Sequence, residues 1–180
     1  MKVFKFGGAS VKDAVGVKNL SSIIHQQHGQ LIVVVSAMGK TTNLLETLCN
    51  AYFHQDPKAT AIMKELKNFH LDIVNTLFPL NAPVYKHLEE LFTNLENILT
   101  SESSLCYDYE YDRIICFGEL ISTTIISDYL KMEGIENQFI DIRKFLKTDQ
   151  NYRNANIDLE LSEQLCKETF DFKASSIFVT

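Results

Sequence analysis

The sequence predicts an α/β fold in which a mainly parallel sheet is sandwiched by helices. Two short apolar runs, 3–6 and 31–35, have the length and composition of buried strands. Each run is followed by a polar turn and then by a segment whose apolar residues recur at helical spacing. Repeated strand–turn–helix units are typical of parallel sheets, so the first 50 residues already indicate this class.

The first half of the chain alternates strands with helices. A helix is predicted from Val11 to about His28 and should end before Gly29, because glycine commonly terminates helices. The run 31–35 should be covered on both faces of the sheet, since it is continuously apolar and largely β-branched. A second helix should begin near Asn43.

The segment from 57 to about 100 is predicted to be helical, with interruptions at Pro79 and Pro83. It contains no cluster of residues with obvious catalytic chemistry. We therefore interpret it as a helical insertion that covers one side of the sheet.

The second half of the chain returns to the α/β pattern. A long helix is predicted from about 112 to 132 and should end before Gly134. Strands are predicted at 138–142 and 176–179, with a helix over 161–170 between them.

Composition limits the possible functions. With 180 residues the chain is long enough for one domain, and its net charge of −6 argues against a broad surface for nucleic acid or an anionic membrane. No signal peptide is recognisable, and no apolar run approaches the length needed to span a bilayer. We expect a cytoplasmic protein.

The cysteines do not indicate a metal site or a disulfide framework. Cys49, Cys106, Cys116 and Cys166 are far apart and lack C-x-x-C spacing. We expect reduced and mostly buried thiols, and no metal bound by the protein.

A glycine turn follows the first predicted strand, where residues 5–11 read K-F-G-G-A-S-V. Gly7 and Gly8 permit close approach of a ligand to the backbone, and exposed N–H groups beside Lys5 suit phosphate oxygens. The spacing is not that of a P-loop. Considered alone, the segment is also compatible with an ordinary glycine turn.

A second polar turn, 36–43, follows the second predicted strand. Ligands of parallel α/β proteins usually bind at the carboxyl ends of the strands. Both turns should lie at this edge of the sheet, and their shared location favours a binding site.

Glu119 is the third candidate, on the long predicted helix. Ile115, Ser122 and Ile126 share its face, and Gly118 removes side-chain bulk beside it. A carboxylate buried among apolar neighbours needs a partner. It could be a substrate-facing acid, a glutamate that reaches solvent, or one paired with a lysine.

Five segments together resemble the aspartokinases of the amino acid kinase superfamily. Segments 5–11 and 35–44 are similar to their K-F-G-G-[TS]-S-V and V-S-A-x-x-x-x-T-N motifs, and 117–122 is similar to their G-E-x-x-S helix. Segment 141–149 resembles their D-x-R and T-[DN] pair, and 178–180 resembles the start of V-T-Q-G-F. The resemblance implies a carbamate kinase-like fold.

It also implies transfer of the ATP γ-phosphoryl group to the side-chain carboxylate of L-aspartate, giving 4-phospho-L-aspartate for lysine, threonine and methionine biosynthesis. Lys5 would neutralise charge on the transferred phosphoryl group, with Gly7, Gly8 and Ser36 on the phosphate side. The Mg²⁺ ion would be held mainly by the nucleotide.

On the substrate side, the resemblance implies that Ser36 and Gly39 line the cleft and that Thr42 and Glu119 hold aspartate. Glu119 would pair with the α-ammonium group. Lys5 and Glu119 are thus the expected catalytic residues. The full-length protein would be a homo-oligomer.

Two departures from the family pattern are visible. Ala9 replaces the usual Thr or Ser, and the Gly-rich R-G-G-S-D segment of the family is absent. The chain therefore resembles the N-terminal, substrate-side part of an incomplete kinase domain, and we expect it to be nearly inactive alone. A related amino acid kinase acting on acetylglutamate, glutamate or a nucleotide is an alternative, as is a non-catalytic amino-acid-binding module.

Overall fold

The computed structural model describes residues 1–180. Its sheet has four strands, in chain order β1 (Lys2–Phe6), β2 (Leu31–Val35), β3 (Gln138–Phe139) and β4 (Ile177–Val179). The spatial order is β1-β2-β4-β3, and every neighbouring pair is parallel. The predicted α/β class with a parallel sheet is confirmed.

Seven α-helices flank the sheet, and every predicted helical segment overlaps one or more of them. They are α1 (Ala14–His25), α2 (Thr41–Phe53), α3 (Lys58–Leu77), α4 (Val84–Thr100), α5 (Tyr107–Ile115), α6 (Phe117–Met132) and α7 (Leu159–Thr169). None of these helices is long and apolar enough to cross a membrane.

The first strand differs from the prediction of a buried strand. β1 lies at an edge of the sheet, where Val3 is 58% exposed and Phe4 and Phe6 are half-buried. β2 lies inside the sheet, with Val33 fully buried and Val34 half-buried. One face of β2 is therefore packed as tightly as its apolar run suggested, whereas no residue of β1 is fully buried.

Helix α1 begins later than predicted. The chain after β1 forms a short 3₁₀ turn over Gly8–Val11, and the Asp13 carboxylate then accepts a hydrogen bond from the Gly16 N–H at 2.8 Å. This side-chain cap satisfies an N–H that the first helical turn leaves without a partner, so the helix begins at Ala14.

The long helix predicted at 112–132 is two helices. α5 ends at Ile115 and α6 begins at Phe117, with Cys116 at the junction. The predicted end is correct: Gly134 follows α6 with a φ of +78°, a conformation that favours glycine.

The two helices of the predicted insertion form an outer layer. α3 packs against α1, α2 and α6, and α4 packs against α3 and α6, so the two helices lie outside other helices on their side of the sheet. Their interruption by Pro79 and Pro83 is confirmed.

The burial of the cysteines and of the acidic residues differs from the expectation. Cys49 is the one buried cysteine; Cys106 is exposed, so the expectation of mostly buried thiols is wrong. The fully buried carboxylate is Glu110, which accepts hydrogen bonds from the Ser104 N–H at 2.7 Å and from Arg113 at 2.9 Å. These partners offset the cost of burying its charge.

Candidate active site

The two polar turns meet at one edge of the sheet. Phe6 and Val35 are paired in register, so β1 and β2 end side by side. The Ser36 N–H donates to the Phe6 carbonyl, and the Gly39 N–H donates to the Gly8 carbonyl, both at 3.0 Å. The predicted proximity of the turns is confirmed.

The two glycines of the first turn have different surroundings. A Cβ atom placed on Gly8 would lie 2.5 Å from the Ala37 carbonyl oxygen and 3.3 Å from that of Gly39. A Cβ atom on Gly7 would meet only the Lys5 Nζ, at 3.9 Å. Gly8 is therefore required by packing between the turns, whereas Gly7 leaves space next to the Lys5 ammonium group.

Helix α6 approaches the second turn equally closely. A Cβ atom on Gly118 would lie 2.8 Å from the Ala37 Cβ. The Glu119 Oε1 accepts a hydrogen bond from the Ala37 N–H at 3.3 Å. The absence of a side chain at Gly118 lets the next residue reach the backbone of the turn.

Glu119 is exposed, so the expectation of a carboxylate buried among apolar neighbours is wrong. Its partner inside the chain is a backbone N–H, not a lysine. Ser122 and Ile126, on the same face further along α6, are buried as expected. The carboxylate is held at the mouth of the site and remains accessible to a ligand.

Three further candidates lie along the second turn. Ser36 is half-buried directly after β2, and Gly39 is exposed with a φ of +55°. Thr42 is the half-buried second residue of α2. The structure thus brings Ser36 and Gly39 against the first turn and Glu119 against Ala37, while Thr42 is linked to the site through the turn itself.

The start of α2 is attached to α3 by a buried hydrogen bond. The Thr41 Oγ1 lies 3.3 Å from the His70 Nε2, and the His70 Nδ1 lies 2.8 Å from the Leu66 carbonyl oxygen. Burial lowers the pKa of His70 from 6.5 to about 4. The imidazole is therefore neutral near pH 7.

The junction that leads into α6 is held by Arg143. Its guanidinium forms a two-pronged pair with Asp141, at 2.9 and 2.8 Å, and also donates to the Cys116 Sγ at 3.2 Å. The hydrogen bonds from Arg143 lower the pKa of Asp141, and burial raises the pKa of the Cys116 thiol. The D-x-R segment therefore supports the beginning of the helix that carries Glu119.

Two lysines at the site were not singled out from the sequence. Lys12 packs beside Gly39, whose Cβ position lies 3.5 Å from the Lys12 Cβ, and Lys40 follows Gly39 directly. Both side chains are exposed, as is Lys5. Counting cations around the two turns would have indicated them, since these lysines favour an anionic ligand although the chain is acidic overall.

Two glycine-containing turns and the Glu119 carboxylate lie at the carboxyl edge of the parallel sheet, which is where proteins of the α/β class usually bind small ligands. Residues 1–176 match the family model described as the amino acid kinase family. The chain belongs to the amino acid kinase family.

Known proteins support this assignment. The chain is 28% identical over 159 residues to an aspartokinase of Chlamydia pneumoniae, a match that spans 88% of this chain and 34% of that protein. Its fold is similar to that of Escherichia coli aspartokinase III in complex with aspartate and ADP, with a TM-score of 0.86 at 22% identity. That likeness covers 98% of this chain and 39% of the other.

A Clostridium acetobutylicum aspartate kinase has a TM-score of 0.73 at 26% identity, over 98% of this chain and 38% of that one. The chain spans about a third of the length of the curated relatives it matches.

Gly8→Ala should destabilise the protein far more than Gly7→Ala. The new methyl group at Gly8 would collide with the Ala37 carbonyl and push the turns apart, an overpacking cost of about 1–3 kcal/mol, whereas the methyl group at Gly7 has space. Urea unfolding of both variants measures this difference in the free energy of unfolding. Equal losses would contradict the close packing of the two turns at Gly8.

His70 should make stability depend on pH below neutrality. Its pKa is about 4 in the folded protein and about 6.5 when unfolded, so the unfolded chain takes up the proton first as the pH falls. The stabilisation is complete above about pH 6.5 and is lost progressively towards pH 4, by about 2 kcal/mol between pH 7 and 4.5.

The measurement is the free energy of unfolding at both pH values for wild type, His70→Gln and the exposed-site control His25→Gln. The advantage of wild type over His70→Gln should shrink at pH 4.5, and the control should follow wild type. An unchanged advantage would contradict a neutral buried His70.

Proposed function

We propose that this chain is the N-terminal, substrate-side part of an aspartate kinase, which transfers the γ-phosphoryl group of ATP to the side-chain carboxylate of L-aspartate. The observation that carries the proposal is the hydrogen bond between Glu119 and the Ala37 N–H, beside the turn of Lys5. It joins a carboxylate to a cationic turn at one sheet edge. The matched relatives are named aspartokinases, and one was solved with aspartate and ADP.

The chemistry of this reaction suits a site without a general base. The carboxylate of aspartate is ionised at neutral pH, so one of its oxygens attacks the γ-phosphorus directly while the bond to the β-phosphate oxygen breaks and ADP leaves. Catalysis then consists of aligning two anions and offsetting their repulsion.

On the phosphate side, the ammonium group of Lys5 is proposed to balance the charge of the transferred phosphoryl group. The open space at Gly7 beside the Lys5 Nζ suits an oxyanion, and Gly7 and Gly8 are proposed to donate backbone N–H groups. Ser36 lies at the end of the neighbouring strand and would add a hydroxyl. Ala9 removes a hydroxyl but leaves the backbone of the turn unobstructed.

On the substrate side, Glu119 is proposed to pair with the α-ammonium group of aspartate. One of its oxygens is occupied by the Ala37 N–H, and its second oxygen has no hydrogen bond within the chain. Ser36, Gly39 and Thr42 are proposed to line the rest of the aspartate site. An exposed carboxylate that the backbone already orients needs little rearrangement to bind an ammonium group.

Mg²⁺ is proposed to be held mainly by the nucleotide phosphates, where it would neutralise charge on the transferred group. The chain has no group of three or more His, Cys, Asp or Glu side chains arranged to hold a metal ion. We further propose that 57–100 is an insertion in the kinase domain, and that the whole protein is a cytoplasmic homo-oligomer.

The proposal predicts ATP- and L-aspartate-dependent formation of an acyl phosphate, trapped as the hydroxamate by hydroxylamine. Residues 1–180 should be nearly inactive in this assay, and the longest polypeptide encoded by the same reading frame should be active. Calorimetry on residues 1–180 should detect binding of L-aspartate in preference to L-glutamate or N-acetylglutamate. If residues 1–180 bind L-aspartate selectively but the longest polypeptide forms no acyl phosphate, an amino-acid-binding module is supported instead.

Two substitutions separate the roles at the site. In the longest polypeptide, Lys5→Ala should lower kcat by about 10²–10³, because it removes charge stabilisation of the transferred group. Glu119→Gln keeps an acceptor for the Ala37 N–H but loses the ion pair, so it should mainly raise the KM for aspartate, by at least tenfold. Lys18→Ala and Glu90→Gln, at exposed positions, are the matched controls. Wild-type kinetics in both site variants would refute these roles.

A further inference from the structure

His70 is a polar side chain inside an apolar layer. It lies on α3 with no exposed surface, and its ring is 4.9 Å from the ring of Phe69 and 6.4 Å from that of Phe92. A buried imidazole is costly unless both ring nitrogens have hydrogen-bond partners. Here both do, and one of the two partners belongs to the candidate site.

The two partners define the tautomer of His70. The Leu66 carbonyl oxygen accepts only, so the Nδ1 that lies 2.8 Å from it carries the proton. The Nε2 of the neutral ring is then an acceptor, and the Thr41 hydroxyl at 3.3 Å donates to it. The donor and the acceptor of both hydrogen bonds are thus defined: Thr41 donates to His70, and His70 donates to Leu66.

Thr41 is the buried residue that connects the second turn to α2. It is 2% exposed, it begins α2, and it lies between Lys40 and Thr42. Its N–H donates to the Met38 carbonyl at 3.0 Å, and its Cγ2 lies 3.5 Å from the Cβ position of Gly118. Thr41 is therefore enclosed between α3 and α6.

The second turn is thus held along its whole length. β1 holds its beginning through the Phe6 carbonyl, and α6 holds the next residue, Ala37, through Glu119. The first turn holds its middle through the Gly8 carbonyl, which accepts from the Gly39 N–H. His70 holds its end through Thr41. The outer helix α3 is in this way connected directly to the binding edge of the sheet.

We propose that His70 is a positioning residue for the second turn: its neutral Nδ1–H tautomer accepts the Thr41 hydroxyl and fixes the start of α2, and with it Gly39 and Thr42, in the geometry that receives the amino acid. The inference deepens the proposed function and rests on it for the statement that this turn receives an amino acid and that the amino acid is aspartate. The hydrogen-bond chain itself is independent of the ligand.

The test uses Thr41→Val, which keeps the shape of Thr41 but has no hydroxyl, and Thr41→Ser, which keeps the hydroxyl. Thr47→Val is the matched control, because Thr47 lies on the same helix and its exposed hydroxyl bonds only to the Asn43 carbonyl. These changes leave His70 in place, so the core should still fold.

Amide hydrogen exchange in residues 1–180 is the first readout. Thr41→Val should accelerate amide exchange at 39–43 by about tenfold more than it accelerates exchange in β2. A tenfold change corresponds to about 1.4 kcal/mol. Thr41→Ser and Thr47→Val should resemble wild type. An equal acceleration in β2 and in 39–43, or none in either, would overturn the positioning role.

Nitrogen-15 NMR of the histidine ring is the second readout. At pH 7 the wild type should show a neutral His70 protonated at Nδ1, and the opposite tautomer or an imidazolium would overturn the proposal. Both readouts need no ligand.

Calorimetry with L-aspartate is the third readout. Thr41→Val should weaken binding about tenfold, and Thr41→Ser by less than about twofold. Unchanged affinity in Thr41→Val would overturn the link between His70 and the binding geometry. If wild type fails to bind aspartate, the proposed function fails, and exchange and NMR still decide whether His70 positions the turn.

Discussion

Close backbone packing at the 36–39 turn is the constraint on which the rest of the site depends. Gly8 and Gly118 each lack the side chain that would collide with Ala37, at 2.5 Å and 2.8 Å respectively. These two contacts bring the end of β1, the end of β2 and the beginning of α6 together, although they are far apart in sequence. Larger residues would separate these elements, and the Ala37 N–H would no longer reach Glu119.

The charges of the site follow from this packing. Lys5, Lys12 and Lys40 are exposed around the two turns, while Glu119 is oriented by a backbone donor instead of being neutralised by a lysine. A site of this kind offers separate places for an anion and for an ammonium group. That separation suits the proposed substrate, an amino acid that accepts a phosphoryl group, because each end of it would meet the opposite charge.

The outer helices contribute to the site as well as to the core. α3 lies one layer away from the sheet, yet His70 connects it to Thr41 at the start of α2. The apolar pattern of this segment predicted its helices correctly but gave no reason to single out one histidine. A histidine among apolar residues looks the same in sequence whether it faces solvent or a distant hydroxyl, because its partner is set by helix packing.

The local pattern of the sequence and the motif resemblance determined the class of fold, the two turns at the sheet edge and the candidate residues. They could do so because strand length, helical spacing and glycine positions depend on nearby residues alone. Tertiary structure decided the rest. It placed Val3 on an exposed edge strand, divided the helix at Cys116, and left Glu119 accessible while Glu110 became the buried acid. Burial depends on which distant elements pack over a residue, and no local spacing encodes that.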